Sequence, residues 1–171
     1  MSQAVRNLEP NSLWNHFADL NAVPRPSKKE ERVIAFAKDF GERLGLPTMV
    51  DEVGNVIIKK PATAGMENRK TVVMQSHLDM VHQKNNDTDF DFLTQGIDML
   101  VDGDWVKANG TTLGADNGLG VSTIMAVLSS NEIDFVYRCS LLIAINPLLT
   151  LQEANIEQIR RTIKYLWIIV N

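Results

Sequence analysis

The sequence predicts an α/β fold. Two segments with helical periodicity open the chain, a short apolar run of strand length, residues 71–75, follows, and a further helical segment comes after it. Helices alternating with strands in this way place a chain in the α/β class. At 171 residues, with 44% hydrophobic and 22% charged side chains, the chain suits one domain with a real hydrophobic core.

The first helix is expected over residues 11–20. Leu13, Trp14, Phe17 and Leu20 recur at helical spacing, and Asn11 or Ser12 is placed to cap them. Pro24 and Pro26 make a loop of the next residues. Ser27 and Glu30 have the spacing of a capping box before Val33, Ile34, Ala37, Phe40 and Leu44, so a second helix is expected, closed by Gly45. Residues 47–51 and 55–59 read as two strands joined by the turn Glu52-Val53-Gly54, and residues 61–70 as a polar connector.

Residues 71–75 show no alternation, which predicts a strand buried on both faces. Residues 84–98 are polar and acidic, as in a loop, and residues 104–107 form a short strand. Glycines 110, 114, 118 and 120 then surround Asp116. A helix over residues 118–128 carries Val121, Ile124, Met125 and Leu128 on one face.

The formal charge of −4 is spread along the chain with no basic stripe, which argues against a nucleic-acid partner. No apolar stretch is long enough to span a bilayer, so no membrane role is expected. A single cysteine, Cys139, allows no internal disulfide and fits a reducing compartment, with the cytoplasm as the default. Its apolar surroundings predict a buried thiol.

The chemistry concentrates at three residues. His77 and Asp79 lie at the C-terminal end of the predicted strand, where open α/β sheets commonly place ligands. In an extended segment, residues i and i+2 point to one side, so the carboxylate can reach one ring nitrogen while the other faces a metal. Taken alone, a His-x-Asp at a strand end is more often a histidine satisfied by hydrogen bonds. Asp116 alone would read as a helix N-cap. Together with the glycines, which let backbone approach a ligand closely, the two point to a metal centre, and a carboxylate can bridge two cations. Asp87, Asp89 and Asp91 alternate like the start of an EF-hand loop, but Phe92 and Asp98 stand where that loop needs glycine and glutamate. Ser76 has no base besides His77, which makes a serine-hydrolase triad a weak alternative. His16 and His82 receive no role.

The stretch Ser76-His77-Leu78-Asp79-Met80-Val81, with Gln83-Lys84-Asn85 after it, resembles the first metal motif of the aminoacyl-histidine dipeptidases. These are bacterial cytosolic zinc enzymes related to carnosinases and aminoacylases. The run from Trp105 through Gly110-Thr111-Thr112-Leu113-Gly114-Ala115-Asp116-Asn117-Gly118 resembles their second motif, and Leu20-Asn21-Ala22-Val23-Pro24-Arg25-Pro26-Ser27 is similar to their N-terminal region. The resemblance implies a partial metallopeptidase catalytic domain, a mixed sheet with flanking helices. Residues 1–134 would belong to that domain, and residues 135–171 would be a divergent tail of one strand and one helix, the helix over residues 152–167. His77 would bind one metal, Asp116 would bridge two, and Asp79 would serve catalysis by orienting and polarising His77. The peptide after Asp116 would be cis. Zinc is the implied cofactor, with cobalt or manganese as alternatives, and a small dipeptide of the Xaa-His type is the implied substrate.

The family also places a general-base glutamate and a ligand glutamate about thirty residues after Asp116, where this sequence has Asn146 and Pro147. Neither can do that work. The resemblance stops near residue 135, which suggests a frameshifted or truncated gene without the lid domain and the rest of the catalytic domain. The corresponding alternatives are an inactive fragment with a partial metal site, or a noncatalytic protein that self-associates or binds partners through uncovered apolar surface.

Overall fold

The computed structural model describes residues 3–131 and the backbone of residues 139–144. In chain order the elements are α1 (Gln3–Arg6), α2 (Asn11–Asn21), α3 (Glu31–Arg43), β1 (Thr48–Val50), β2 (Val56–Lys60), β3 (Val72–His77), β4 (Met99–Asp102), β5 (Trp105–Ala108), α4 (Ala115–Ser129) and β6 (Cys139–Ala144). One four-stranded sheet runs in the order β1-β2-β6-β3, and β4 with β5 forms a separate hairpin. Strand β6 is antiparallel to β2 and parallel to β3, so the sheet is mixed, as the family resemblance implies. Among the described residues no helix is long and apolar enough to cross a membrane.

The helices follow their apolar spacing. In α2 the buried positions are Phe17, Ala18, Leu20 and Asn21, and in α3 they are Val33, Ala37, Phe40 and Gly41. These faces meet β2 through Val56 and Ile58 and α4 through Val121, Ile124, Met125 and Leu128, forming the main core. Gly41 is required by the closeness of this packing: a Cβ there would collide with the Thr48 hydroxyl and stand 3.0 Å from Ile58. A second core joins α1, α2 and the hairpin, with Val5, Phe17, Met80, Ile97 and Met99 at its centre.

Helix α3 ends as expected. Gly45 has φ +68°, its N–H donates to the Glu42 carbonyl, and the Leu46 N–H reaches back to Gly41. Its start differs from the expected capping box. The helix begins at Glu31, no side chain caps it, and the Ser27 hydroxyl is turned to Asp79 instead. Nor do Asn11 and Ser12 cap α2; Pro10 occupies the N-cap position without a side-chain hydrogen bond. At the end of α4, the Lys60 ammonium donates to the carbonyls of Leu128 and Ser130 at 2.8 and 2.5 Å, where the helix leaves acceptors unpaired.

Two strand expectations are corrected. β3 is not buried on both faces, since Val72 and Gln75 are exposed and only Ser76 is fully covered. Its only partner strand among the described residues is β6. Strand β4 lies just past the segment expected to be loop, and it escaped notice because Met99–Asp102 is short and ends in a polar residue. It pairs with β5 through the turn at Gly103, whose φ of +57° suits glycine.

His16 packs under the end of α4, with Nε2 3.1 Å from the Ser129 hydroxyl and its ring edge-on to Phe40. Burial lowers its pKa, and Asp19 opposes this only in part. Leu20→Ala, at a fully buried position, should destabilise the fold by about 2–5 kcal/mol in urea unfolding. The His16 shift has a defined sign. The unfolded chain protonates this imidazole more readily than the folded one does. Stability should therefore fall as the pH drops below about 6.5, and His16→Gln should flatten that part of the urea-midpoint profile.

Candidate metal centre

His77 is the last residue of β3, and Asp79 follows just before the bridge that Met80 makes with Pro26. The i and i+2 side chains fall on one side. His77 Nδ1 lies 3.1 Å from Asp79 Oδ1, and Nε2 lies 3.1 Å from Asp116 Oδ1. Asp116 lies in the first turn of α4 but at φ −96° and ψ 106°, outside helical geometry, so it is not an ordinary first-turn residue. The Asp116–Asn117 peptide is cis. All three residues singled out by the sequence thus meet at the end of β3.

The two carboxylates have different surroundings. The Asp79 side chain is 6% exposed and that of Asp116 is 95% exposed. Asp79 Oδ2 accepts a hydrogen bond from the Ser27 hydroxyl at 2.6 Å, while Oδ1 faces His77. Both of its oxygens are therefore engaged within the protein. An imidazole that donates from Nδ1 to Asp79 presents a lone pair at Nε2, opposite an oxygen of Asp116. Two acceptors facing each other at 3.1 Å repel unless a proton or a cation lies between them. Donors bound to a tetrahedral zinc stand roughly 3.4 Å apart, so this pair fits one flank of a metal ion. Among the described residues, no three His, Cys, Asp or Glu side chains converge into a metal site.

Comparisons with known proteins show what the chain as a whole is similar to. Over 129 residues, 75% of this chain and 27% of its relative, the sequence is 51% identical to the cytosol non-specific dipeptidase of Escherichia coli K12. The solved aminoacylhistidine dipeptidase of Vibrio alginolyticus matches 88% of this chain and 30% of its own, at 45% identity and a TM-score of 0.81. The chain is homologous to these dipeptidases. It spans less than a third of the length of either. No family model matches the chain. The aminopeptidase PepT of Bacillus cereus matches 88% of this chain and 41% of its own, at 22% identity and a TM-score of 0.65. For a tripeptidase of Staphylococcus aureus the shares are 81% and 37%, at 19% identity and a TM-score of 0.62. These two share the fold.

In this dipeptidase homologue the glycines around Asp116 are closely packed by neighbouring groups of the protein. A Cβ on Gly114 would stand 2.5 Å from Arg25 Nη2 and 2.8 Å from Met80 Sδ, and one on Gly118 would stand 2.8 Å from the same Nη2. On Gly120 it would collide with the Asn117 amide, and on Gly110 with Thr88. Ser76 is buried and donates to the Asn117 carbonyl at 3.3 Å, which leaves it no nucleophilic role. Asp91 accepts hydrogen bonds from the Leu93 N–H and the Thr94 hydroxyl, a local turn that holds its carboxyl below the usual range. Asn146, Pro147 and the helix expected over residues 152–167 lie outside the described residues, as does the side chain of Cys139.

The residue that sequence reasoning passed over is Arg25. It was read as part of a proline-restricted loop, yet it is 1% exposed. Its Nη1 donates to the carbonyls of Leu78 and Asp79 at 2.9 and 3.4 Å, and Nη2 to Asn21 Oδ1 and the Gly114 carbonyl, both at 2.8 Å. Burial lowers its pKa to about 10, against the opposing pull of Asp79, so it stays a cation at neutral pH. No periodicity could have revealed it. Its signal was an arginine between two prolines inside the segment resembling the family.

Gly114→Ala should be costly on two grounds, a φ of +70° and the contact with Arg25. A loss of about 2–5 kcal/mol in urea unfolding is expected.

Proposed function

We propose that this chain carries one half of the metal centre of a metal-dependent peptidase that hydrolyses dipeptides, the aminoacyl-histidine type among them. His77 and Asp116 are the metal ligands, with Asp116 placed to bridge to a second ion. Asp79 assists catalysis as the partner that holds the Nδ1 proton of His77, which keeps Nε2 available as a donor. The observation that carries the reading is this pair of contacts on one imidazole, in a segment 51% identical to a dipeptidase. Zinc is the favoured ion for an imidazole–carboxylate donor set, with cobalt or manganese as substitutes. When bound, such a metal supplies Lewis-acid polarisation and acidifies a water molecule. The working compartment is the cytoplasm, by analogy with the cytosol relative.

The catalytic-domain segment is residues 1–134. Asn146 stands where the resemblance calls for a general-base glutamate, and an amide cannot accept a proton at neutral pH. That substitution favours a second reading, a partial site that binds metal without turnover. Loss of a general base costs about 10²–10⁴-fold in rate.

Calorimetric zinc titration and an alanyl-histidine hydrolysis assay separate the outcomes. His77→Ala and Asp116→Ala should weaken zinc binding by more than the roughly 10–100-fold that loss of an outer partner costs. Equal zinc affinity in all three proteins would sink the metal assignment. Zinc-dependent turnover lost in both variants marks a competent enzyme; binding without turnover marks the partial site.

A further inference from the structure

We infer that Arg25 is a positioning residue for this metal centre, setting the distance between the His77–Asp79 segment and Asp116, and that Ser27 of the same loop completes the device. The inference rests on the metal reading of His77 and Asp116 given above.

The two metal-facing residues are 39 positions apart and come from different elements. One forked guanidinium joins their backbones. Through Nη1 it takes the carbonyls of Leu78 and Asp79, directly after His77, and through Nη2 it takes the carbonyl of Gly114, two residues before Asp116. A planar guanidinium fixes the angle between such bonds, whereas an ammonium is a point donor on a flexible stem. Asn21 Oδ1, at the end of α2, holds the same Nη2. Asn21 is itself fixed through its Nδ2 donation to the Leu113 carbonyl at 3.0 Å. Space for the fork exists because positions 114 and 118 have no side chains.

The loop carrying Arg25 is fastened to the segment it positions. The Met80 N–H donates to the Arg25 carbonyl at 3.0 Å, the Ser27 N–H donates to the Met80 carbonyl at 3.1 Å, and Pro26 and Met80 form a parallel bridge. This register delivers the Ser27 hydroxyl to Asp79 Oδ2 at 2.6 Å, so the carboxylate that orients His77 is gripped from its far side. Asp79 also lies near enough to Arg25 to offset its charge, which limits repulsion between a buried cation and a metal ion close by.

A merely structural Arg25 would change stability but leave the metal affinity of the folded protein alone. Arg25→Lys keeps the charge and removes the fork; Ser27→Ala removes one hydroxyl at a half-buried position. Zinc titration of the full chain, on samples with the far-ultraviolet circular dichroism of wild type, should show affinity reduced by roughly 10–100-fold in each variant. The visible spectrum of added cobalt(II) should change in band position or intensity as the donors shift. If both variants fold and bind zinc as tightly as wild type, the positioning role is overturned while the metal centre stands. If wild type and His77→Ala bind zinc alike, the metal reading fails and this inference fails with it. Should Arg25→Lys not fold, Ser27→Ala decides by the same criterion.

Discussion

The buried guanidinium of Arg25 is the constraint on which the candidate centre depends. Hydrogen bonds from a charged donor contribute about 1.5–3 kcal/mol each, and leaving a buried charge unpaired costs several. The chain therefore must bring four acceptors, on Asn21, Leu78, Asp79 and Gly114, to one place whenever this side chain is buried. Pairing the two terminal nitrogens of the arginine gathers these segments, while its buried Nε has no partner among the described residues. The end of α2, the end of β3 and the start of α4 also share the main core through Leu20, Leu78 and Val121, and the guanidinium adds a polar tie between them; glycine at 114 and 118 leaves room for it.

Direct attraction between His77 and Asp116 could not do this. Exposed ion pairs contribute roughly 0–1 kcal/mol, and the Asp116 side chain is almost wholly in solvent. The pair is held by its backbone surroundings, and among the described residues His77 Nε2 and Asp116 Oδ1 have each other as partners. Asp79 is the opposite case: buried, with both oxygens engaged, it fixes a ring rather than offering a ligand. One His and two Asp residues thus divide into a donor pair and an orienting group through exposure alone.

Much of this was legible in the sequence. Apolar spacing gave the bounds of α2, the Gly45 ending of α3 and the buried face of α4 to within a residue or two. The i, i+2 rule placed Asp79 on His77 correctly. The failures share a cause. Ser27 and Glu30 have the spacing of a capping box, but that spacing is silent about Asp79, which lies far along the chain and binds the same hydroxyl. The glycines near Asp116 signalled close approach, and at positions 114 and 118 Arg25 is among the groups that approach. A two-sided burial of β3 was expected from composition, yet burial depends on which strands flank it, and local pattern does not carry that. Tertiary partners decided each of these points.

The division of labour between these residues bears on what the chain can do. On the proposed metal reading, orientation and metal contact come from residues before 117, whose neighbours Leu78, Asp79 and Gly114 are held by Arg25 and Ser27. Proton transfer requires a group whose basicity matches neutral pH, and Asp79, His77 and Asp116 are each already committed to holding a ring or facing a metal. On the same reading, no member of such a site is free to accept a proton from substrate water. Metal affinity and turnover are thus separable properties here. On that reading, the identity of residue 146, asparagine rather than an acid, bears on turnover rather than on metal affinity.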